Sequence, residues 1–185
     1  DLRGHTDVDA MERNAHGVLD SAFDGGVRYV DAARSYGRAE AFLASWLERR
    51  GLRLGDVTVG SKWGYTYTAD WRVHAHPAEV KDLAAATLRR QLAESRALLG
   101  PHLRLYQIHS ATRESGVLED REVLEELRRV REEGIATGVS VTGPQQAETI
   151  WRALEVGIFD TVQATWNLLE RSAGAEGEYR SRPRR

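Results

Sequence analysis

Strand-like and helix-like segments alternate along this chain from residue 9 to about residue 170, and few architectures accept that order. Residues 9–24 carry Ala10, Met11, Ala15, Val18, Leu19 and Ala22 at helical spacing, and Gly25-Gly26 ends the run. Residues 27–31 then read as a short strand. A helix follows from Ala39 to Arg50, with Ala39, Phe42, Leu43, Trp46 and Leu47 as its apolar face and Gly51 as its stop. Strand 57–62 comes next, followed by a long helix expected from Pro77 to Leu99, with proline in its first turn. The same alternation continues through strand 103–109, helix 121–133, strand 136–141, helix 145–156 and strand 161–166. Continuous β-branched or aromatic strands alternating with helices predict parallel βαβ units whose strands are covered by helices.

Two parallel architectures meet this pattern, an open doubly wound sheet and a (β/α) barrel. No strand is followed by a GxGxxG or GxxxxGK phosphate loop, which counts against a doubly wound nucleotide-binding sheet. Polar residues instead close different strands: Asp31, Lys62, His109, Ser140 and Gln163. In a barrel these C-terminal strand ends converge on one rim, where such residues serve chemistry. The expected fold over residues 1–172 is therefore α/β, about five parallel strands with covering helices, and a barrel is favoured. Residues 173–185 lack apolar periodicity and are expected to form a disordered arginine-rich tail.

Composition narrows the function classes. A net charge of −2 gives no pull toward nucleic acid or an anionic membrane, and the five arginines from Arg171 onward have no aromatic or folded company. No apolar run approaches the roughly 20 residues of a membrane span. The absence of cysteine excludes thiolate chemistry and disulfides and suits a cytoplasmic location. His74 and His76 have a spacing open to metal binding, but no cysteine or acidic pair accompanies them, so no metal is expected.

Positive charge rests on 24 arginines and only two lysines. One of those lysines, Lys62, closes a strand. A lysine ammonium responds to its surroundings in a way a guanidinium does not, so a lysine at this place suggests a need for an amine. Tyr36 lies on the loop after the strand that Asp31 ends. A tyrosine donates a proton more readily when a cation favours its anion, and a carboxylate keeps that cation charged. Asp31, Tyr36 and Lys62 thus make a coherent proton-donor set, with His109 placed to hydrogen-bond the oxygen that receives the proton. Each has a plainer explanation alone: Asp31 as a helix cap, Tyr36 as a rim aromatic, His109 as a half-buried histidine. Trp63, Tyr65 and Trp166 sit beside strand ends and either line an apolar pocket or plug the rim.

The chain resembles the aldo-keto reductase superfamily over roughly residues 9–173. The resemblance is carried by residues 26–37, with the pattern DxAxxYG from Asp31 to Gly37, then by Ser61-Lys62 and Tyr106-Gln107-Ile108-His109. Gly138-Val139-Ser140, Val162-Gln163 and Asn167-Leu168-Leu169-Glu170 complete it. It implies a (β/α)8 TIM-type barrel that reduces aldehydes and ketones, or runs the reverse reaction, with NADPH or less often NADH. Tyr36 is then the general acid, Asp31 and Lys62 tune it, and His109 orients the carbonyl. Ser140 and Gln163, beside Asp31, are implied to meet the nicotinamide end of the cofactor.

Two departures accompany the resemblance. The family usually has asparagine after the serine, and Val141 stands there. The family also begins with another strand and ends with two further strand–helix units, including the loop that grips the adenosine phosphate. The expectation is a partial barrel with open edges, prone to oligomerise or aggregate. Its alternative function is that of an inactive aldo-keto-reductase-like binding or regulatory subunit.

Overall fold

A computed structural model describes residues 7–68 and 77–174. His74 and His76, and the tail from residue 175, lie outside the described residues. Five parallel strands build half of a (β/α)8 barrel: β1 (Tyr29–Asp31), β2 (Thr58–Trp63), β5 (Leu103–Ala111), β6 (Ala136–Val141) and β7 (Thr161–Gln163), in the order β1-β2-β5-β6-β7. Helices α1 (Val8–Asp24), α2 (Ala39–Arg50), α3 (Ala85–Leu99), α4 (Arg121–Glu132) and α5 (Gln146–Val156) make the crossovers and the outer layer. β1 and β7 are the edges of the sheet, as the partial barrel requires.

The register divides the sheet into two unlike faces. Parallel partners point to the same side, so Asp31–Gly60, Lys62–Gln107, Gln107–Gly138 and Ser140–Gln163 all belong to one face. The opposite face carries Val59, Trp63, Tyr106, Ile108, Val139 and Val141, which join Leu43, Trp46, Leu88, Leu127 and Val130 of the helices in one core. Trp46 is fully buried; its indole N–H donates to Asp20 at 2.9 Å and Phe23 packs edge-on at 5.9 Å, which ties α2 to α1.

On the inner face, glycine makes room where strands crowd. A Cβ on Gly60 would stand 2.7 Å from the Tyr29 hydroxyl, and one on Gly138 would run into the Thr161 hydroxyl and stand 2.8 Å from Gln107 Cγ. At both positions a side chain would force its neighbours to shift.

The expected helix from Pro77 is a correction. Glu79–Lys81 forms strand β4, antiparallel to β3 (Tyr65–Tyr67), and α3 starts only at Ala85. Asp82 supplies the delayed start: its carboxylate accepts from Ala84 N at 3.0 Å and from the Thr87 hydroxyl. The last strand ends at Gln163 rather than residue 166. Ala173 and Gly174, placed in the tail by sequence, belong to a 3₁₀ turn (Ser172–Gly174), and the Ser172 hydroxyl accepts from Gln146 Nε2 of α5 at 2.8 Å.

Candidate active site

The inner face is polar at its C-terminal rim. β1 delivers Asp31, and β2 delivers Lys62 one strand away. The loop after β1 stays bound to β2 beyond the end of the ladder: Ala32 N–H donates to Gly60 O at 2.9 Å and Arg34 N–H to Lys62 O at 3.0 Å. Tyr36 is thereby held above the Lys62 strand end.

The loop is also anchored from behind. Arg34 pairs with Glu40 of α2 and, at 2.7 Å, with Glu94 of α3. Glu40 is buried and its second carboxylate oxygen accepts from the Ser61 hydroxyl at 2.6 Å and the Ser95 hydroxyl at 2.7 Å. A buried charge with this many partners fixes its neighbours in place, and the fixed element here is the loop that carries Tyr36.

Lys62 is almost wholly buried, with a side chain 2% exposed, and pairs directly with the Asp31 carboxylate. A buried ammonium needs such a partner. The same carboxylate accepts from Gln107 Nε2 at 3.2 Å, Tyr29 OH at 3.3 Å and Gln163 Nε2 at 3.4 Å. Lys62 Nζ lies 5.2 Å from the centroid of the Tyr36 ring, a cation–π distance, and that ring meets His109 edge-on at 5.7 Å. Asp31, Lys62, Tyr36 and His109 are therefore brought together.

Electrostatics separates the candidate acids. Burial, reinforced by the positive charge of Lys62, pushes the His109 imidazole down to about 4, so it is neutral at pH 7 and donates one N–H rather than acting as a strong acid. Its Nδ1 is buried and has no hydrogen-bond partner. Tyr29 is the other tyrosine near Asp31. Burial and the adjacent carboxylate push its hydroxyl up to about 12, which makes it a poor proton donor. Tyr36 lies beside the cation instead, and it is 48% exposed, open to an incoming substrate.

Ser140 and Gln163 face each other in register across β6 and β7. Ser140 Oγ accepts from Ser110 N at 2.8 Å, which leaves its hydroxyl proton free to donate. Ser110 has a φ of 55°, and a bulge interrupts β5 between Ile108 and Ala111. This irregular backbone ends the regular ladder beside His109. A hydroxyl beside an amide on adjacent strand ends suits a carboxamide, the polar end of a nicotinamide. Val141 is buried in the outer core and contributes no polar group to the rim.

Sequence reasoning missed Gln107 and Lys81 as rim residues, whereas Tyr65, read as a pocket-lining or rim aromatic, does meet His109 edge-on at 4.9 Å. Gln107 was legible in principle, because it shares strand parity with His109. Tyr65 and Lys81 reach the rim through the β3–β4 hairpin, a pairing between residues too far apart for local periodicity to show. Among the described residues, no group of three or more His, Cys, Asp or Glu could hold a metal ion, and no helix is long and apolar enough to cross a membrane.

Known proteins resemble this chain in sequence and fold. The oxidoreductase YrpG of Bacillus subtilis, itself uncharacterized, is 28% identical over 113 residues, covering 57% of this chain and 34% of its own length. A Pseudomonas aeruginosa structure provisionally described as an aldo-keto reductase superposes with a TM-score of 0.69 at 32% identity, covering 87% of this chain and 58% of the other. An aldo-keto reductase from Klebsiella pneumoniae, in complex with NADPH, shares the fold with a TM-score of 0.59 at 23% identity, covering 85% of this chain and 49% of its own. The chain thus spans about a third of that curated relative and a little over half of the Pseudomonas structure. The sequence profile of the Aldo/keto reductase family matches residues 4–177, and the chain belongs to that family.

Proposed function

We propose that this chain carries the catalytic rim of an NADP(H)-dependent oxidoreductase that interconverts small aldehydes or ketones and their alcohols, with NADH as the less favoured cofactor. One observation carries the reading. A buried lysine, held by Asp31, faces the ring of an exposed tyrosine, beside a histidine kept neutral by burial. In the reducing direction Tyr36 donates its phenolic proton to the carbonyl oxygen as negative charge builds there. The Lys62 ammonium stabilises the phenolate left behind, and Asp31 holds Lys62 charged and in place. The neutral His109 N–H orients the carbonyl oxygen toward Tyr36.

A reduced nicotinamide, when bound, supplies the hydride for the carbonyl carbon. Ser140 and Gln163 are the residues suited to hold its carboxamide, with Asp31 adjacent. The presence of NADPH in the Klebsiella relative supports this choice of cofactor. The grip on the adenosine phosphate is assigned, by the family resemblance, to units that follow the fifth strand.

The second reading is an inactive family member that binds or regulates. Tyr36→Phe decides between the two. If the first reading holds, NADPH oxidation with an aldehyde falls by roughly 10²–10⁴-fold while the cofactor dissociation constant is unchanged. Reductase activity fully retained by Tyr36→Phe contradicts the mechanism. No activity in the unmodified chain, with NADPH still bound, favours the second reading.

A further inference from the structure

The two lysines of this chain flank one histidine. Lys62 Nζ lies 5.2 Å from the Tyr36 ring, which packs edge-on to His109 at 5.7 Å. Lys81 Nζ lies 5.5 Å from the Tyr65 ring, which packs edge-on to the same imidazole at 4.9 Å. Both ammonium charges help to hold the His109 pKa down. The β3–β4 hairpin brings Lys81 to this position, and Lys81 Nζ donates to Ser110 O at 2.7 Å at the β5 bulge.

The two cations are balanced differently. Lys62 is paired with Asp31. Among the described residues no carboxylate lies within ion-pair distance of Lys81, whereas Arg89 and Arg90 of α3 pair with Glu122, Glu126 and Glu94. Glu79 acts on Tyr65 from the same hairpin without pairing with Lys81. Lys81 is exposed as a residue, yet burial around its ammonium moves its pKa below the ordinary lysine range. A partly dehydrated cation with spare donors and no counter-ion has electrostatic capacity left for a ligand.

We propose that Lys81 is a specificity-determining residue that binds the carboxylate of an anionic carbonyl or alcohol substrate whose reacting oxygen lies between Tyr36 and His109. This rests on the oxidoreductase reading of the same rim. The Tyr65 ring separates Lys81 from His109, so the fitting substrate carries its carboxylate one aromatic ring or a short chain away from the reacting carbon. A single compact ammonium matches one carboxylate rather than an extended polyanion.

The competing role for Lys81 is a strap that ties the hairpin to β5 through Ser110 O. The test is binding of 4-(hydroxymethyl)benzoate and of its neutral isostere 4-methylbenzyl alcohol to the full chain, followed by NMR without cofactor. Alcohols are used because they form no imine with lysine. The carboxylate should bind about tenfold tighter, the scale of one charge-assisted hydrogen bond at a partly exposed site. Lys81→Gln keeps a donor for Ser110 O and should abolish that preference, and Lys81→Arg should restore it. Equal binding of both alcohols to the unmodified chain, binding of neither, or a preference that survives Lys81→Gln would overturn the proposal. So would a Lys81→Gln variant that weakens both ligands equally while lowering the melting temperature, which is the signature of a strap. Because binding is read without turnover, a chain that prefers the carboxylate but reduces no aldehyde refutes the reductase reading and leaves the anion site standing.

Discussion

The two faces of the five-stranded sheet are built from the same strands by opposite rules. The outer face is apolar and buried under helices, with Val59, Trp63, Tyr106 and Ile108 at 0% exposure. The inner face carries Asp31, Lys62, Gln107, His109, Ser140 and Gln163, and three of them, Lys62, Gln107 and Gln163, donate to the Asp31 carboxylate. Alternation along each strand makes the division unavoidable: neighbouring residues such as Ile108 and His109 must serve different faces. Stability is therefore concentrated on one side of the sheet and the proposed chemistry on the other. Substitutions on the two sides should separate these properties.

The largest effect on stability is expected in the outer layer. Trp46→Ala removes a fully buried ring and leaves Asp20 without its indole donor, and should cost about 3–5 kcal/mol in chemical denaturation. Gly138→Ala on the inner face should cost less, about 1–3 kcal/mol, because its new methyl group must displace the Thr161 hydroxyl and the Gln107 side chain. If Gly138→Ala proves the more damaging, the division between the faces is wrong.

Acid should expose the cost of a neutral His109. Its folded-state pKa of about 4 lies below the ordinary 6.5, so between these values the unfolded chain takes up a proton that the folded chain refuses. Stability should be flat above pH 6.5 with respect to this group and fall as pH drops from 6.5 toward 4. His109→Asn should remove that part of the acid sensitivity, as read from melting temperatures at pH 7.5 and pH 4.5. The smallest change in stability is expected for Tyr36→Phe, within about 0.5 kcal/mol, because the ring is half exposed and its packing is kept. A large destabilisation would mean that Tyr36 is a structural plug of the rim.

The outer face was legible in the sequence because burial on a parallel strand writes itself as a continuous apolar run, and the covering helices repeat their apolar residues every three to four positions. The strand-end positions of Asp31, Lys62, His109, Ser140 and Gln163 followed directly from those runs. The hairpin was not legible. Residues 77–81 open with a proline that suits a helix start, and only pairing with Tyr65–Tyr67 overrides that local preference. The anchoring of the Tyr36 loop by Arg34, Glu40 and Glu94 was hidden for a related reason, since two of its members sit within ordinary charged helices and meet only in three dimensions.

The central claim is that the inner-face rim is the functional surface. An amide chemical-shift map on addition of NADPH tests it most directly, because it needs no turnover. Perturbations are expected at Asp31, Lys62, Ser140 and Gln163, with the outward surfaces of α3 and α4 unaffected. Perturbations confined to those helices, or none at saturating cofactor, would contradict it.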